Sequence, residues 1–272
     1  MTSPRRVAVS IALLTVAACA LPFVEKDNSV RVLVYNIHAG KDAGGTPNLD
    51  AVAALVKDVS ADIVLLQEVD RGTKRSGGVD QLQVLMDLSG FEGAFGRTLD
   101  YDGGLYGIAA LSRAGFGYQN TVPLRVLPAQ TRAGGTREPR GALVTIAHTR
   151  LGRLQAMTTH LDASAGDEYR HQEADRLYEI LRERRATGTP LMLGGDINAT
   201  PESAVIQKLL GFGLRDAWAE CGQGDGFTFP ASQPAKRIDY LFLTGALRCT
   251  DARVIDSQAS DHRPLLVTVV LD

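Results

Sequence analysis

"PLMLGGDIN", residues 190–198, is an apolar run that ends in two glycines, a carboxylate and an amide. A strand that is apolar on both alternations is buried on both faces. Burying its last residue, Asp196, costs free energy unless the carboxylate is paired or liganded. The same arrangement recurs along the chain. "VRVLVYNI" (30–37) is β-branched and apolar, and carries Asn36 near its end. "DIVLLQE" (62–68) ends in Glu68, and "LQAMTTHL" (154–161) carries His160. "RIDYLF" (237–242) sets Asp239 beside an apolar run, and "SDHRP" (260–264) sets Asp261 and His262 before the strand-like "LLVTVVL" (265–271). Six such segments read as strand ends that carry polar side chains to one point, against the alternative of six independent solvated loops.

The intervening sequence supplies helices and hairpins. "LDAVAALVKDVS" (49–60) repeats Val52, Leu55, Val56 and Val59 at helical spacing. "DQLQVLMDLSG" (80–90) predicts a short helix stopped by Gly90. "LYGIAALSR" (105–113) and "GFGYQNTVPLRVL" (115–127) read as strands, and "GALVTIAH" (141–148) pairs with the His160 segment in a hairpin around Gly152. "DEYRHQEADRLYEILRERR" (167–185) is the clearest helix, with Ala174, Leu177 and Leu181 on its apolar side and Glu168, Arg170 and Glu173 expected on a wet face. A short helix follows Pro201, and a Gly-rich loop spans 222–226. No Pro- or Ser-rich linker divides the chain, so residues 29–272 read as one α/β domain with a mixed sheet.

The N-terminal residues are of another kind. Arg5 and Arg6 precede the uncharged "VAVSIALLTVAACAL" (7–21), the pattern of an export signal and too short for a membrane span. "VAAC" (16–19) resembles a bacterial lipobox. The expectation is an export signal over 1–19, a short tether over 20–28, and a lipid on Cys19 that holds the protein at the membrane of the cell envelope. Cleavage after Ala18 or Ala20 instead leaves a secreted or periplasmic protein without lipid. Cys221 and Cys249 then remain, either as a disulfide or as two separate thiols.

Composition excludes little. The chain has 272 residues, 44% hydrophobic and 22% charged, ordinary for a globular protein. A formal net charge of −2 offers no general affinity for nucleic acid. The oxygen-rich candidate donors point to a hard divalent cation, Mg²⁺ with Mn²⁺ as the alternative. There is no cysteine ligand pair or His-x-x-x-His spacing for zinc, no P-loop, and no Gly-x-Ser-x-Gly elbow.

Taken in order, "YNIH", "LQEVD", "TTHL", "GGDIN", "RIDYLF" and "SDHRP" resemble the endonuclease/exonuclease/phosphatase superfamily, the deoxyribonuclease I-like hydrolases of phosphoesters. The resemblance implies a four-layer sandwich, two face-to-face mixed β-sheets flanked by helices, with the site at one edge. It implies that Glu68 ligates the metal with Asn36 and Asp261 nearby, and that Asp239 orients His262. It further implies that Asp196 and Asn198 contact the attacking water and the phosphoryl oxygens, and that His160 donates to a non-bridging oxygen. Either His262 or Asp196 takes the proton from water. In "TREPRGAL" (136–143), Arg140 fits the Glu-x-Arg of small bacterial members and Arg137 the "REP" of the deoxyribonucleases, each as a substrate contact. In "GGLYGIAALSR" (103–113), Ile108 replaces the family's usual Asn, and Tyr106 either faces substrate or lies in the core. Arg71, Lys74 and Arg75 of "DRGTKRSGGVDQ" (70–81) either receive a phosphate-bearing substrate or are solvated.

The expected activity is that of an exported, monomeric, Mg²⁺-dependent phosphodiesterase or phosphatase acting on a small or lipid-borne phosphoester. Two rivals are a secreted deoxyribonuclease or ribonuclease and a non-catalytic surface binding protein on the same fold. Nucleic acid is the less favoured substrate, because no long basic, aromatic-lined insertion is present.

Overall fold

The computed structural model describes residues 28–131 and 136–272. Its first half contains β1 (Ser29–Asn36), α1 (Leu49–Asp58), β2 (Ile63–Arg71), α2 (Gln81–Ser89), β3 (Glu92–Tyr101) and β4 (Gly104–Ser112). The middle contains β5 (Phe116–Leu124), β6 (Arg140–Thr149), β7 (Gly152–His160), α3 (Glu168–Arg185), β8 (Leu191–Asp196) and α4 (Ala204–Gly211). The last part contains β9 (Arg215–Asp216), α5 (Ala217–Cys221), β10 (Asp239–Leu243), β11 (Leu247–Val254) and β12 (Leu265–Leu271).

Two mixed six-stranded sheets result, ordered β11-β12-β1-β2-β4-β3 and β5-β6-β7-β8-β10-β9. The period of two along each strand assigns its residues to layers. Val32 and Val34 of β1, Ile63 and Leu65 of β2, Met192 of β8 and Leu241 of β10 meet between the sheets. Leu33, Tyr35, Val64 and Leu66 point the other way, under Val52 and Val56 of α1 and Leu82 and Leu85 of α2. On the far side, Leu193, Tyr240 and Phe242 lie against Leu177 and Leu181 of α3 and Ile206 and Leu209 of α4. The layers are helix, sheet, sheet, helix, as the sequence motifs imply.

Each sheet has a parallel pair at its centre, β1–β2 in one and β7–β8 in the other. Four strands therefore present their C-terminal halves to the same edge of the sandwich. β10 runs antiparallel to β8, with Asp239 opposite Asp196 in register.

Several local features depart from the sequence reading. β2 does not end at Glu68: it continues to Arg71, with a bulge between Leu66 and Val69. Glu68 sits in that bulge at φ 58, a conformation that redirects its side chain out of the strand alternation. Asp239 opens its strand instead of closing one. The edge strands β3 and β11 carry no clean alternation, and the short α5 is too brief to show a period. Cys221 of α5 and Cys249 of β11 form a disulfide, with Cα atoms 5.8 Å apart. On α3, Arg170 and Glu173 are buried, not wet. They precede Leu177 by seven and four positions, so helical spacing puts them on the apolar side.

Candidate active site

The backbone around Asp196 is tightly constrained. Gly195 has φ 152, and a Cβ there would lie 2.0 Å from the Thr159 carbonyl oxygen. Only glycine permits that approach of β8 to β7, which sets Asp196 beside His160 in register. Asp196 Oδ1 accepts from the Asn198 backbone N–H at 2.9 Å. Its other oxygen, Oδ2, is the meeting point of the site. Asn36 Nδ2 donates to it at 3.1 Å, His160 Nε2 lies 3.5 Å away, and His262 Nε2 lies 3.6 Å away. Asn36 Nδ2 also donates to Glu68 Oε1 at 3.1 Å, so one amide ties two carboxylates together.

The two histidines are held differently. His262 Nδ1 bonds Asp239 Oδ2 at 2.8 Å, which leaves Nε2 facing Asp196. Burial by itself lowers the His262 pKa, but Asp239 and then Asp196 outweigh it and hold the imidazolium up to about 10. The Phe229 ring covers the imidazole at 4.8 Å between centroids. His160 instead accepts at Nδ1 from the Arg140 guanidinium, 3.1 Å away. Guanidinium has no acceptor and Asp196 Oδ2 faces Nε2, so these two neighbours favour the proton of His160 on Nε2. Burial, then Arg140 and His262, push His160 well below its ordinary value and keep it neutral. Asn198 Nδ2 lies 3.1 Å from His160 Nε2 and donates to the Leu161 carbonyl. Burial first and Asp239 second raise Asp196 to about 7.

A cleft of about 490 Å³ opens here, lined by Glu68, His160, Asp196, Asn198, Asp261 and His262, among others. Asp261 is half-exposed, and the half-exposed His38 lies 3.9 Å from it. Asp196, Asp239 and His262 present ligand atoms all within 4.8 Å of one another, a buried group suited to a metal ion. The donor set fits a hard cation: carboxylate oxygens dominate it. Asp239 Oδ1 is buried with no hydrogen-bond partner among the described residues.

The other expected residues lie elsewhere. Arg140 is buried behind His160, its guanidinium 3.1 Å from Glu138. Arg137 is exposed, and its backbone N–H donates to Asp162. Tyr106 is buried against Tyr101 and the Arg75 guanidinium, away from the cleft wall. Ile108 is core. The two arginines of the basic stretch after Glu68 are internally paired, Arg75 donating to Asp70 and Arg71 to Asp80, while Lys74 is exposed. Cys19 lies outside the described residues. Arg170, expected on a wet helix face, and Lys236, which the sequence reading passed over, also line the cleft. Helical spacing was the available signal for Arg170, and none marked Lys236.

The model of the endonuclease/exonuclease/phosphatase family matches residues 33–262. The uncharacterized protein YbhP of Escherichia coli (strain K12) is 26% identical over 264 residues, spanning 92% of this chain and 100% of its own. A UPF0294 protein of Vibrio campbellii is 25% identical over 255 residues, spanning 92% of this chain and 80% of its own. Among solved structures, a mannosyl-6-phosphatase of Bacteroides thetaiotaomicron VPI-5482 superimposes with a TM-score of 0.73 at 19% identity, over 89% of this chain and 100% of that one. The human Nocturnin catalytic domain with bound sulfate anion gives 0.69 at 20% identity, over 90% and 94%.

Proposed function

The chain belongs to the endonuclease/exonuclease/phosphatase family, and from that premise we propose that it is an exported, Mg²⁺-dependent hydrolase of a small or lipid-borne phosphoester, working by in-line attack of water. One observation carries this reading. Asn36, His160 and His262, from three separate segments, converge on a single buried oxygen, Asp196 Oδ2, at 3.1–3.6 Å. This carboxylate faces two imidazoles in the lining of a cleft.

Glu68, Asn36 and Asp261 are the residues we assign to hold the divalent cation, with the Asp196, Asp239 and His262 group beside them. When bound, the cation neutralises charge on the phosphoryl and leaving oxygens. The protein's own groups do the rest. Asp196 and Asn198 orient the attacking water. Asp239 fixes the His262 ring through Nδ1, so that Nε2 is turned toward Asp196 and the cleft. His160 presents Nε2–H to a non-bridging oxygen as its charge grows. Proton acceptance falls to Asp196 in this arrangement, because His262 is held as the imidazolium. A positioned general base supplies roughly 10²–10⁴-fold in rate.

The cleft supports the preference for a small substrate, since its volume of about 490 Å³ falls in the lower half of the roughly 300–1,000 Å³ usual for small-molecule sites. The Cys221–Cys249 disulfide supports export, because such bonds persist in oxidising compartments. We assign the lipid anchor to Cys19; intact mass of the native chain against Cys19→Ala tests that assignment.

The deciding assay compares bis(p-nitrophenyl) phosphate with p-nitrophenyl phosphate, with Mg²⁺ and with chelator. Turnover that requires Mg²⁺ and is absent in Asp196→Ala supports the proposal. Diester turnover makes it a phosphodiesterase, and monoester turnover directs attention to sugar phosphates. Mg²⁺ binding by calorimetry without hydrolysis of either ester would return the protein to the class of non-catalytic binders. Plasmid or RNA cleavage that falls steeply with salt would make it a nuclease.

A further inference from the structure

Three arginines are buried among the described residues: Arg140, Arg170 and Arg237. Two sit against a carboxylate, Arg140 with Glu138 at 3.1 Å and Arg237 with Asp216 at 2.7 Å. Arg170 differs. Its Nη1 donates to two backbone carbonyls, of Asp162 at 2.8 Å and Ser164 at 2.7 Å. No carboxylate among the described residues lies within ion-pair distance, and its buried Nε has no hydrogen-bond partner. Arg170 is 8% exposed, and that small exposure is to the cleft. A buried guanidinium without a counter-charge is costly. An anion entering from the cleft would offset that cost.

A second cation reaches the same cleft from another element. Lys236 lies before β10, in the loop where Phe229 and Lys236 bridge across. Its side chain is exposed and makes no ion pair with the described residues. Arg170 and Lys236 are the cationic Lys and Arg side chains among those lining the cleft, whereas Glu68, Asp196 and Asp261 line it with negative charge. The acidic set suits the cation and the water. It does not suit a bare anion, and Arg170 and Lys236 are the Lys and Arg side chains of the lining that do.

We infer that Arg170 and Lys236 form a subsite for a second anionic group of a small substrate, separate from the scissile phosphoester. The inference rests on the phosphoester reading above and deepens it: the substrate class becomes a phosphoester with a further phosphate or comparable anion. Arg170 contributes a fixed guanidinium, oriented by the two carbonyls of the loop after β7. Lys236 contributes a mobile ammonium at the mouth. Ser164 and Thr200 line the cleft and supply hydroxyls.

The test is calorimetric binding of thymidine 3′,5′-bisphosphate and thymidine 5′-phosphate to the full chain, with Ca²⁺ replacing Mg²⁺ to slow turnover. The bisphosphate binds at least tenfold more tightly in the native protein, and Lys236→Ala reduces that ratio severalfold. Arg170→Gln reduces it further, with circular dichroism to establish that the variant folds. Lys57→Ala, at an exposed position of α1, retains the native ratio. Equal affinities in the native protein, or a preference that survives both substitutions, overturn the subsite. An eight-residue oligothymidylate that outcompetes the bisphosphate assigns the second anion to a nucleic-acid backbone and overturns the small-substrate form. Binding preference is read independently of hydrolysis. Failure of the p-nitrophenyl assays therefore sinks the enzymatic reading alone, while failure here sinks the subsite alone.

Discussion

The two ends of the sandwich treat charge in opposite ways. At the end away from the cleft, Asp62 precedes β2 and is fully answered. Its Oδ2 accepts from the Arg31 backbone N–H at 2.9 Å, its Oδ1 accepts from Arg150 at 2.8 Å, and Arg113 lies 3.8 Å away. One carboxylate there meets more positive charge than it needs. At the cleft end, four strands and the loop before β12 bring Glu68, Asp196 and Asp239 together with two histidines, and one Asp239 oxygen has no hydrogen-bond partner among the described residues. The same strands thus run from a satisfied cluster to an under-neutralised one. The first arrangement closes the fold; the second is stable only with cations, protons or substrate to complete it.

Substitutions at the two ends separate these roles. The largest effect belongs to Asp196→Ala, which lowers phosphoester hydrolysis by on the order of 10²–10⁴-fold. The midpoint of thermal unfolding stays level or rises, because a raised, desolvated carboxylate is removed. A collapse of the fold in this variant would erase the contrast. Asp239→Asn comes next. It loosens the His262 ring, and kcat falls about 10–100-fold with KM little changed, as steady-state kinetics measure.

Glu173 extends the contrast into the layer behind the site. Burial above all raises its pKa from 4.5 to about 7, against the Asp162 N–H bond and Arg140, which lower it. The folded state therefore binds this proton more tightly than the unfolded one. That contribution is complete below pH 4.5 and is lost as pH rises through about 7. Glu173→Gln, which keeps an acceptor for the Asp162 N–H, gains on the native protein across that window by on the order of 2 kcal/mol in urea unfolding. A gap that is flat with pH would mean that Glu173 titrates normally. Asp62→Ala has the smallest effect. Its arginine partners are 39–49% exposed, so the loss is about 1 kcal/mol, with hydrolysis unchanged. A large drop in activity would show that the far end communicates with the cleft.

Legibility in the sequence followed burial. Strands apolar on both alternations, β1, β2, β8 and β12, were readable because both faces are covered, and the amphipathic α1, α2 and α3 because one is. β3 and β11 lie at sheet edges, where half-exposed residues break the pattern, and they were missed. The charged residues of α3 misled for a related reason. Arg170 and Glu173 look like a solvated face by residue type, but their helical position turns them toward the buried loop after β7.

The sequence by itself determined the mixed α/β class and the identity of the polar strand ends, because hydrophobic period and residue chemistry are local properties of the chain; the layer order followed only from the resemblance that its motifs carry. Only the tertiary structure decided which of those ends touch. The bulge that aims Glu68, the 2.0 Å clearance that demands Gly195, the Cys221–Cys249 pairing and the retreat of Arg140 behind His160 all depend on distances between segments remote in sequence. The lone cation Arg170 belongs with them: its charge is visible in the sequence, but the absence of an answering carboxylate among the described residues is a fact of packing.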